Sequence, residues 1–150
     1  MAEECLAAGD ESYKPAIEDF SVYVQRLSNA ARDVDLSPDR VPENTFWLLK
    51  GNLVVGRSRL RHYLTPLLEQ EGGHIGYDIR PSARQKGYGT LILQLTLEKA
   101  RALGLSRVLL TCDTDNVGSA RIIENNGGRL SGQEISKRSR KPISQYWIEL

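Results

Sequence analysis

A basic, glycine-containing turn stands directly before a long apolar helix pattern, in the stretch RQKGYGTLILQLTLEKA that begins at Arg84. Gly87 and Gly89 remove two side chains where the backbone turns into the helix. The N–H groups of Lys86 to Thr90 can therefore converge on one anion at the positive end of the helix. This chemistry is the binding of a phosphate or a diphosphate. The alternative interpretation is an ordinary solvated corner between a strand and a helix.

Two common phosphate-binding motifs do not fit this stretch. A Walker A loop needs a longer glycine spacing that ends in Gly-Lys-Ser/Thr, and this pattern is absent. A Rossmann fingerprint needs a third small residue where the chain has Ile92, and an acidic residue after the next strand.

Composition limits the classes of function. Lys and Arg number 20 against 19 Asp and Glu, so the net charge of +1 argues against a general nucleic-acid or membrane-surface binder. Only Cys5 and Cys112 occur, and no Cys/His cluster has the spacing of a zinc site. The acidic first residues lack the apolar region of a signal peptide, and no apolar run is long enough to cross a bilayer. We expect a cytoplasmic protein without a metal.

The spacing of apolar residues predicts the elements that position the turn. Residues 16–33 have the pattern of an amphipathic helix, with Ile17, Phe20, Val24 and Leu27 on its apolar face. Two β-rich runs follow, separated by a hairpin turn at residues 50–52, and residues 74–79 make a third strand that ends before Pro81. The helix after the turn leads to a buried strand at residues 107–112, and this order requires a parallel crossover.

The rest of the chain contains a second short helix and two closing strands. Asn116 caps this helix, and Gly127 ends it. The closing strands flank the basic turn SKRSRKP, which starts at Ser136. This turn is either a solvated hairpin or a surface that attracts an acidic acceptor.

Two motifs in this order resemble those of the acyl-CoA N-acetyltransferase (GNAT) superfamily. The loop of that family, Arg/Gln-x-x-Gly-x-Gly/Ala, is matched at each defined position by the segment from Arg84 to Gly89. The second motif is an Asn, a small residue three positions later and a Glu-x-x-Gly that ends the helix. It is matched by Asn116, Ser119 and residues 124–127. The resemblance runs from about Thr45 to the C-terminus and is strongest to a subgroup known only as predicted acetyltransferases.

The resemblance implies an α/β fold with a mixed, mostly antiparallel sheet, a βαβ crossover and flanking helices. We expect one domain over residues 1–150, with a helical part at 1–44 and the cofactor-binding core at 45–150. The family normally begins with a strand, whereas the first residues here lack β-branched alternation, so we expect that strand to be missing. The resulting sheet edge leaves room for a homodimer formed by strand pairing.

By resemblance, acetyl-CoA is the acetyl donor and no metal takes part. Ile79 should pair with the pantetheine arm at a gap between splayed strands, and Asn116 and Ser119 should lie close to the cofactor. The diphosphate should bind the loop, which comprises Arg84, Gln85, Lys86, Gly87, Tyr88, Gly89 and Thr90.

The catalytic residues are less well defined. Glu71 shares the strand face of Ile79 if the strand is regular and stands where some relatives have a base, but a bulge at Gly72-Gly73 would re-aim it. We therefore take Glu71 and His74 together as candidate bases, with a structural role as the alternative for His74.

Many relatives carry a tyrosine acid where this chain has Ile123, which has no proton to donate. Tyr146 is the candidate replacement. Otherwise the thiolate leaves unassisted, since its pKa is modest.

The function implied is transfer of acetyl from acetyl-CoA to a primary amine by direct attack, with a small molecule as the acceptor. The alternatives are acetylation of a protein N-terminus or lysine, and a non-catalytic acyl-CoA-binding module. Four aromatic residues are either part of an acceptor pocket or part of the core: Trp47, Tyr63, Tyr77 and Trp147.

Overall fold

The computed structural model describes all 150 residues as six helices and six strands, apart from two short 3-10 turns. The helices are α1 (Ala2–Ala7), α2 (Lys14–Glu18), α3 (Phe20–Ala31), α4 (Pro66–Gln70), α5 (Tyr88–Ala102) and α6 (Val117–Asn125). The strands are β1 (Glu43–Lys50), β2 (Leu53–Arg61), β3 (Ile75–Ile79), β4 (Arg107–Asp113), β5 (Arg129–Ile135) and β6 (Pro142–Glu149). Residues 1–42 contain helices and a 3-10 turn but no strand, as predicted for this part of the chain.

The strands form two three-stranded sheets, in the orders β1-β2-β3 and β4-β6-β5. All neighbours within each sheet are antiparallel. Helix α5 connects β3 to β4, which is the predicted crossover between the two sheets. The mixed α/β fold with flanking helices is therefore confirmed, but β3 and β4 do not form the continuous parallel ladder that a single sheet would have.

The core lies between the two sheets and helix α5. That helix buries Leu93, Leu97 and Ala100 against strand residues such as Leu60 and Leu110. Burying one such aliphatic side chain contributes about 2 kcal/mol. The Thr96 hydroxyl also bonds Ser58 Oγ at 2.7 Å, so the buried polar groups between α5 and β2 are satisfied.

The N-terminal helix prediction needs a correction. The predicted single helix over residues 16–33 is divided at Asp19, whose extended backbone (φ −152°) ends α2 and whose carboxylate accepts from the Val22 N–H at the start of α3. The predicted apolar face is also wrong, because Phe20 is 59% exposed whereas Tyr23 and Ala30 are buried. Tyr23 turns inward because its hydroxyl bonds a guanidinium buried on β2.

Helix α4 has no counterpart among the predicted elements. It starts at a Thr65 cap, which accepts from the Leu68 N–H, and has Pro66 in its first turn. None of the six helices combines the length and the apolar character needed to cross a bilayer.

Candidate active site

Strands β3 and β4 touch at one end and diverge towards the other. At the closed end the His74 N–H donates to the Leu109 carbonyl oxygen at 2.7 Å, and the Leu109 N–H donates to His74 Nδ1 at 3.0 Å. Gly73 lies so close that an added Cβ would stand 2.3 Å from the same carbonyl oxygen. Beyond this contact β3 and β4 belong to separate sheets and share no ladder, so a gap opens between them.

The hydrogen-bond register between β2 and β3 determines which main-chain groups of β3 face the gap. The Arg80 N–H donates to Val55 and the Arg61 N–H donates to His74, so the even-numbered residues of β3 bond β2. Antiparallel pairs alternate in this way, and the main-chain groups of Tyr77 and Ile79 must therefore point to the opposite edge. No strand pairs with that edge. The main-chain groups of Tyr77 and the Ile79 N–H are free there for an extended ligand, whereas the Ile79 carbonyl oxygen accepts from Arg84.

The amino end of α5 meets the open end of this gap. The first helical bond is the one from the Leu91 N–H to the Gly87 carbonyl oxygen, and no main-chain or side-chain acceptor is found for the N–H groups of residues 86–90. Gly87 is the N-cap in the left-handed region (φ 79°), with open space where a side chain would start. This end of the helix therefore presents several unpaired N–H groups and a positive dipole to one place.

Gly89 has a different role from Gly87. A Cβ on Gly89 would stand 2.5 Å from Ile122 Cδ1, so the missing side chain lets α5 pack closely on α6. Only one of the two glycines of the motif therefore leaves open space for an anion.

A cleft of about 620 Å³ joins the strand edge to the helix end. Eight of the ten predicted cofactor-binding residues line it, namely Ile79, Arg84, Gln85, Gly87, Gly89, Thr90, Asn116 and Ser119. Lys86 and Tyr88 are not among the lining residues, and the Lys86 ammonium donates to the Ser82 carbonyl oxygen at 2.8 Å. The two family-like motifs, about 30 positions apart in sequence, therefore meet at one cleft.

Arg84 ties the loop to the end of β3. Its Nε donates to the Ile79 carbonyl oxygen at 3.2 Å. The next residue, Gln85, has a positive φ of 59°, which turns the chain towards the helix.

Helix α6 forms the wall opposite β3. Asn116 caps it by accepting from the Ser119 N–H at 3.0 Å, and the Ser119 hydroxyl lies 2.8 Å from the Tyr77 hydroxyl. Burial of the ring raises the pKa of Tyr77 to about 12, and the hydrogen bond with Ser119 opposes only part of this shift. Tyr77 therefore keeps its proton at neutral pH. Of the four aromatic residues predicted for an acceptor pocket, Tyr77 alone lines the cleft.

The three predicted catalytic residues lie outside the cleft lining. Glu71 follows α4 and accepts from the Ser136 hydroxyl at 2.6 Å, because the positive φ angles of Gly72 and Gly73 turn the chain before β3 begins. His74 is held at the closed end of the gap, where burial lowers its pKa, with the nearby arginines adding to the effect. Tyr146 is 5% exposed and belongs to the core.

The other aromatic candidates make contacts elsewhere. Trp47 stacks on Phe20, and Tyr63 is 53% exposed. Trp147 packs edge-on against His74 and lies under the Arg107 guanidinium.

Helix α1 covers part of the cleft, which the sequence pattern did not indicate. Cys5, Ala8 and Asp10 line it. Glu4 fixes the helix there, since it forms an ion pair with Arg80 and accepts from the Ser82 N–H at 3.2 Å. The Arg80 hydrogen bond, with Ser82 adding to it, lowers the pKa of Glu4 to about 2.

A buried ion pair lies on the other face of β3. Arg57 is 3% exposed and binds the Asp78 carboxylate at 2.7 Å, while its guanidinium lies 3.9 Å from the centre of the Tyr13 ring. Asp78 also lines the cleft, so this pair fixes one of its walls. In the sequence this pair is marked only by arginines at alternate positions of β2, namely Arg57, Arg59 and Arg61.

The donor set of the cleft suits a ligand with an anionic end and an extended polar arm. The unpaired N–H groups of α5 fit a diphosphate, and the free edge of β3 fits an amide-containing arm such as pantetheine. No group of three or more His, Cys, Asp or Glu side chains that could hold a metal ion is present.

Comparison with known proteins agrees with this geometry. The model of the family "Acetyltransferase (GNAT) domain" matches residues 13–129. No curated protein matches the sequence significantly.

Solved structures share the fold. RimJ of Mycobacterium smegmatis, in complex with CoA-disulfide, is 18% identical at a TM-score of 0.70, covering 91% of this chain and 65% of that one. A GNAT-family acetyltransferase from Bacillus anthracis is 25% identical at a TM-score of 0.57, covering 70% of this chain and 65% of that one. The IAA acetyltransferase of Bacillus cereus is 16% identical at a TM-score of 0.57, covering 72% of this chain and 78% of that one. The chain thus spans under two thirds of the length of the first two.

Proposed function

The chain belongs to the GNAT acetyltransferase family, and from this premise we propose that it transfers an acetyl group from acetyl-CoA to the primary amine of a small molecule by direct attack. One observation carries the proposal. The outer edge of β3, at Tyr77 and Ile79, and the amino end of α5, which has no side-chain cap, line one cleft.

Each part of the cleft has a proposed task in holding acetyl-CoA. The N–H groups of residues 86–90 bind the diphosphate, with Arg84 adding a positive charge, and Ile79 pairs with the pantetheine arm. Asn116 and Ser119 flank the arm on the α6 side. When bound, acetyl-CoA supplies an acetyl group activated as a thioester. The Tyr77 N–H, which faces the gap, is placed to donate to the carbonyl oxygen where negative charge develops.

The amine has to lose a proton before or during attack. Glu71 and His74 remain predictions for this task. The placement of both outside the cleft lining favours a relay through water over direct contact. Tyr146 stays a prediction for the acid, although its place in the core speaks against contact with the leaving sulfur.

The cover formed by α1 supports a small acceptor. With Glu4 bound to Arg80 and Ser82, the residues Cys5 and Ala8 line one side of the cleft and so narrow the space around the proposed cofactor. The alternative is a protein amine. It is favoured by the likeness to RimL, a ribosomal L7/L12 alpha-N-protein acetyltransferase, which is 19% identical at a TM-score of 0.59 over 72% of this chain.

A panel of acceptors tests the proposal. The full chain is incubated with acetyl-CoA and either small primary amines or peptides with free N-termini and lysines, and the release of CoA thiol is measured. We expect release with small amines and much slower release with peptides. Faster release with peptides would support the protein-amine alternative. Tight CoA binding without release with any acceptor would instead support a non-catalytic binding module.

Location and assembly belong to the same proposal. We propose a cytoplasmic protein, because Cys5 and Cys112 are both free thiols, which suits a reducing compartment. The homodimer also stays a prediction. Strand β1 is an outer strand of its sheet and exposes Leu49 at 61%, which suits pairing with a second copy. Sedimentation at several protein concentrations would test it.

A further inference from the structure

We propose that Tyr77 is the residue that stabilises the leaving sulfur of acetyl-CoA, by donating a hydrogen bond from its hydroxyl while Ser119 supports it from α6. This inference rests on the proposed acetyl transfer. It assigns the task to a strand residue and not to Tyr146 or to position 123.

The order of groups along the cleft leads to Tyr77. The diphosphate site is at the amino end of α5, Ile79 is the next residue of the free strand edge, and Tyr77 lies deeper, towards the junction of His74 and Leu109. An arm that starts at the loop and follows this edge therefore brings its reacting end towards Tyr77. The side chain of the same residue reaches across the gap to α6.

The hydrogen bonds of Tyr77 leave its own proton available. Its oxygen is 2.8 Å from Ser119 Oγ, a favourable distance for an O–H···O bond, but 3.3 Å from the Ser119 carbonyl oxygen, which is longer than such bonds usually are. Either hydroxyl can donate in the shorter bond. When Ser119 Oγ–H donates to the tyrosine oxygen, the Tyr77 proton is only weakly engaged and can turn into the cleft.

The other candidates cannot take this role. Ile123 is 1% exposed and has no proton to give, and Tyr146 is buried among aliphatic residues outside the cleft lining.

The pKa values of Tyr77 and of the CoA thiol show whether Tyr77 donates a hydrogen bond to the sulfur or transfers its proton to it. The pKa of Tyr77 is raised to about 12, whereas a thiol has a pKa of about 8.5. Moving the proton from Tyr77 to the thiolate would therefore be strongly uphill. Donating a hydrogen bond to the developing negative charge costs no such transfer, and the free thiolate takes its proton from water after it leaves.

The test is the pH dependence of CoA binding, which needs no acceptor and no turnover. Wild-type protein should bind CoA more tightly as the pH rises through the pKa of the thiol, because Tyr77 favours the thiolate. Y77F should lose this dependence, and S119A should weaken it. Dethio-CoA lacks the sulfur. It should therefore bind to wild type and to Y77F with the same affinity, and this affinity should not change with pH. Calorimetry measures each affinity, and melting curves check that the variants are folded.

Kinetics give a second readout. Y77F should lower kcat about 10- to 100-fold, as expected for a lost hydrogen bond to a charged group, with the KM for acetyl-CoA nearly unchanged. Three results would each overturn the inference. Y77F could keep the pH dependence, Y77F could bind CoA and dethio-CoA equally more weakly than wild type, or Y146F could lose the pH dependence while Y77F keeps it. Wild-type protein that shows the pH dependence but acetylates no amine would refute the proposed function, and only the hydrogen bond from Tyr77 to the CoA sulfur would remain supported. Absence of CoA binding would refute both.

Discussion

His74 and Leu109 hold strands β3 and β4 together at the point where they begin to separate. The main chain of His74 donates to the Leu109 carbonyl oxygen at 2.7 Å, and the imidazole Nδ1 of the same residue accepts from the Leu109 N–H at 3.0 Å. The side chain thus takes the place of a main-chain acceptor that the diverging strand no longer provides. The position of the gap, and of the cleft that continues it, depends on this double contact.

Replacing His74 should therefore lower stability through a lost acceptor. H74A leaves the buried Leu109 N–H unpaired, which should reduce the free energy of unfolding by about 2 kcal/mol. H74N is the matched control, because the Asn carbonyl oxygen can stand near the place of Nδ1 and should restore part of the loss. Urea unfolding of the three proteins measures the differences. Equal stability of H74A and wild type would contradict the structural role.

The same contact predicts how stability depends on pH. Burial lowers the pKa of His74 in the folded state below its ordinary value of about 6.5, and Nδ1 must be unprotonated to accept. Below pH 6.5 the unfolded chain binds more protons than the folded one, so the free energy of unfolding should fall as the pH drops from about 6.5 towards the folded pKa. This slope should be smaller in H74N, as measured by urea unfolding between pH 7 and pH 5.

Gly73 is the second residue that the junction requires. In G73A the Cβ would stand 2.3 Å from the Leu109 carbonyl oxygen, and the φ of 63° is unfavourable for an L residue. We expect a loss of at least about 2 kcal/mol in unfolding free energy and weaker CoA binding, because β4 is displaced. The control is G76A on the same strand, where the nearest atom is the flexible Arg59 side chain at 3.4 Å. Equal melting temperatures of the two variants would refute this role.

The sequence predicted the elements whose signals are local. The glycine turn, the Asn116 cap and the apolar helix α5 are fixed by neighbouring residues, and all of them occur in the structure as expected. The gap between β3 and β4 was expected only by resemblance. Its cause is a contact between positions 35 residues apart, and no periodicity within either strand reveals such a contact.

The parts that the sequence did not predict depend on long-range polar contacts. Arg57 draws Tyr23 inward and so shifts the buried face of α3 away from Phe20 and Val24. Glu4 binds Arg80, 76 positions away, and this places α1 over the cleft. We expected the Glu71 side chain on the same strand face as Ile79 only if the strand were regular. The two glycines after Glu71 instead turn the chain, and its carboxylate accepts from Ser136.

A charge at Gly87 should test the anion site without disturbing the fold. The residue has φ 79° and open space around it, and Asn and Asp tolerate this conformation better than other residues do. G87D places a carboxylate among the unpaired N–H groups of α5, so the diphosphate of CoA should bind more than about tenfold more weakly. G87N is the neutral control and should bind nearly as wild type. Equal affinity of the two variants, measured by calorimetry, would place the diphosphate elsewhere.

Acid should release helix α1 only at very low pH. The hydrogen bonds from Arg80 and Ser82 lower the pKa of Glu4 to about 2, so the contact is fully present above the ordinary pKa of 4.5 and is lost as the pH falls towards 2. The Ser82 N–H donates directly to Glu4, and its NMR chemical shift should therefore titrate with a midpoint near 2. E4Q should remove this titration and speed amide exchange in α1, whereas E3Q, at an exposed position of the same helix, should leave both unchanged. A midpoint near 4.5 in wild type would mean that Glu4 is not bound to Arg80 in solution and that α1 does not close the cleft.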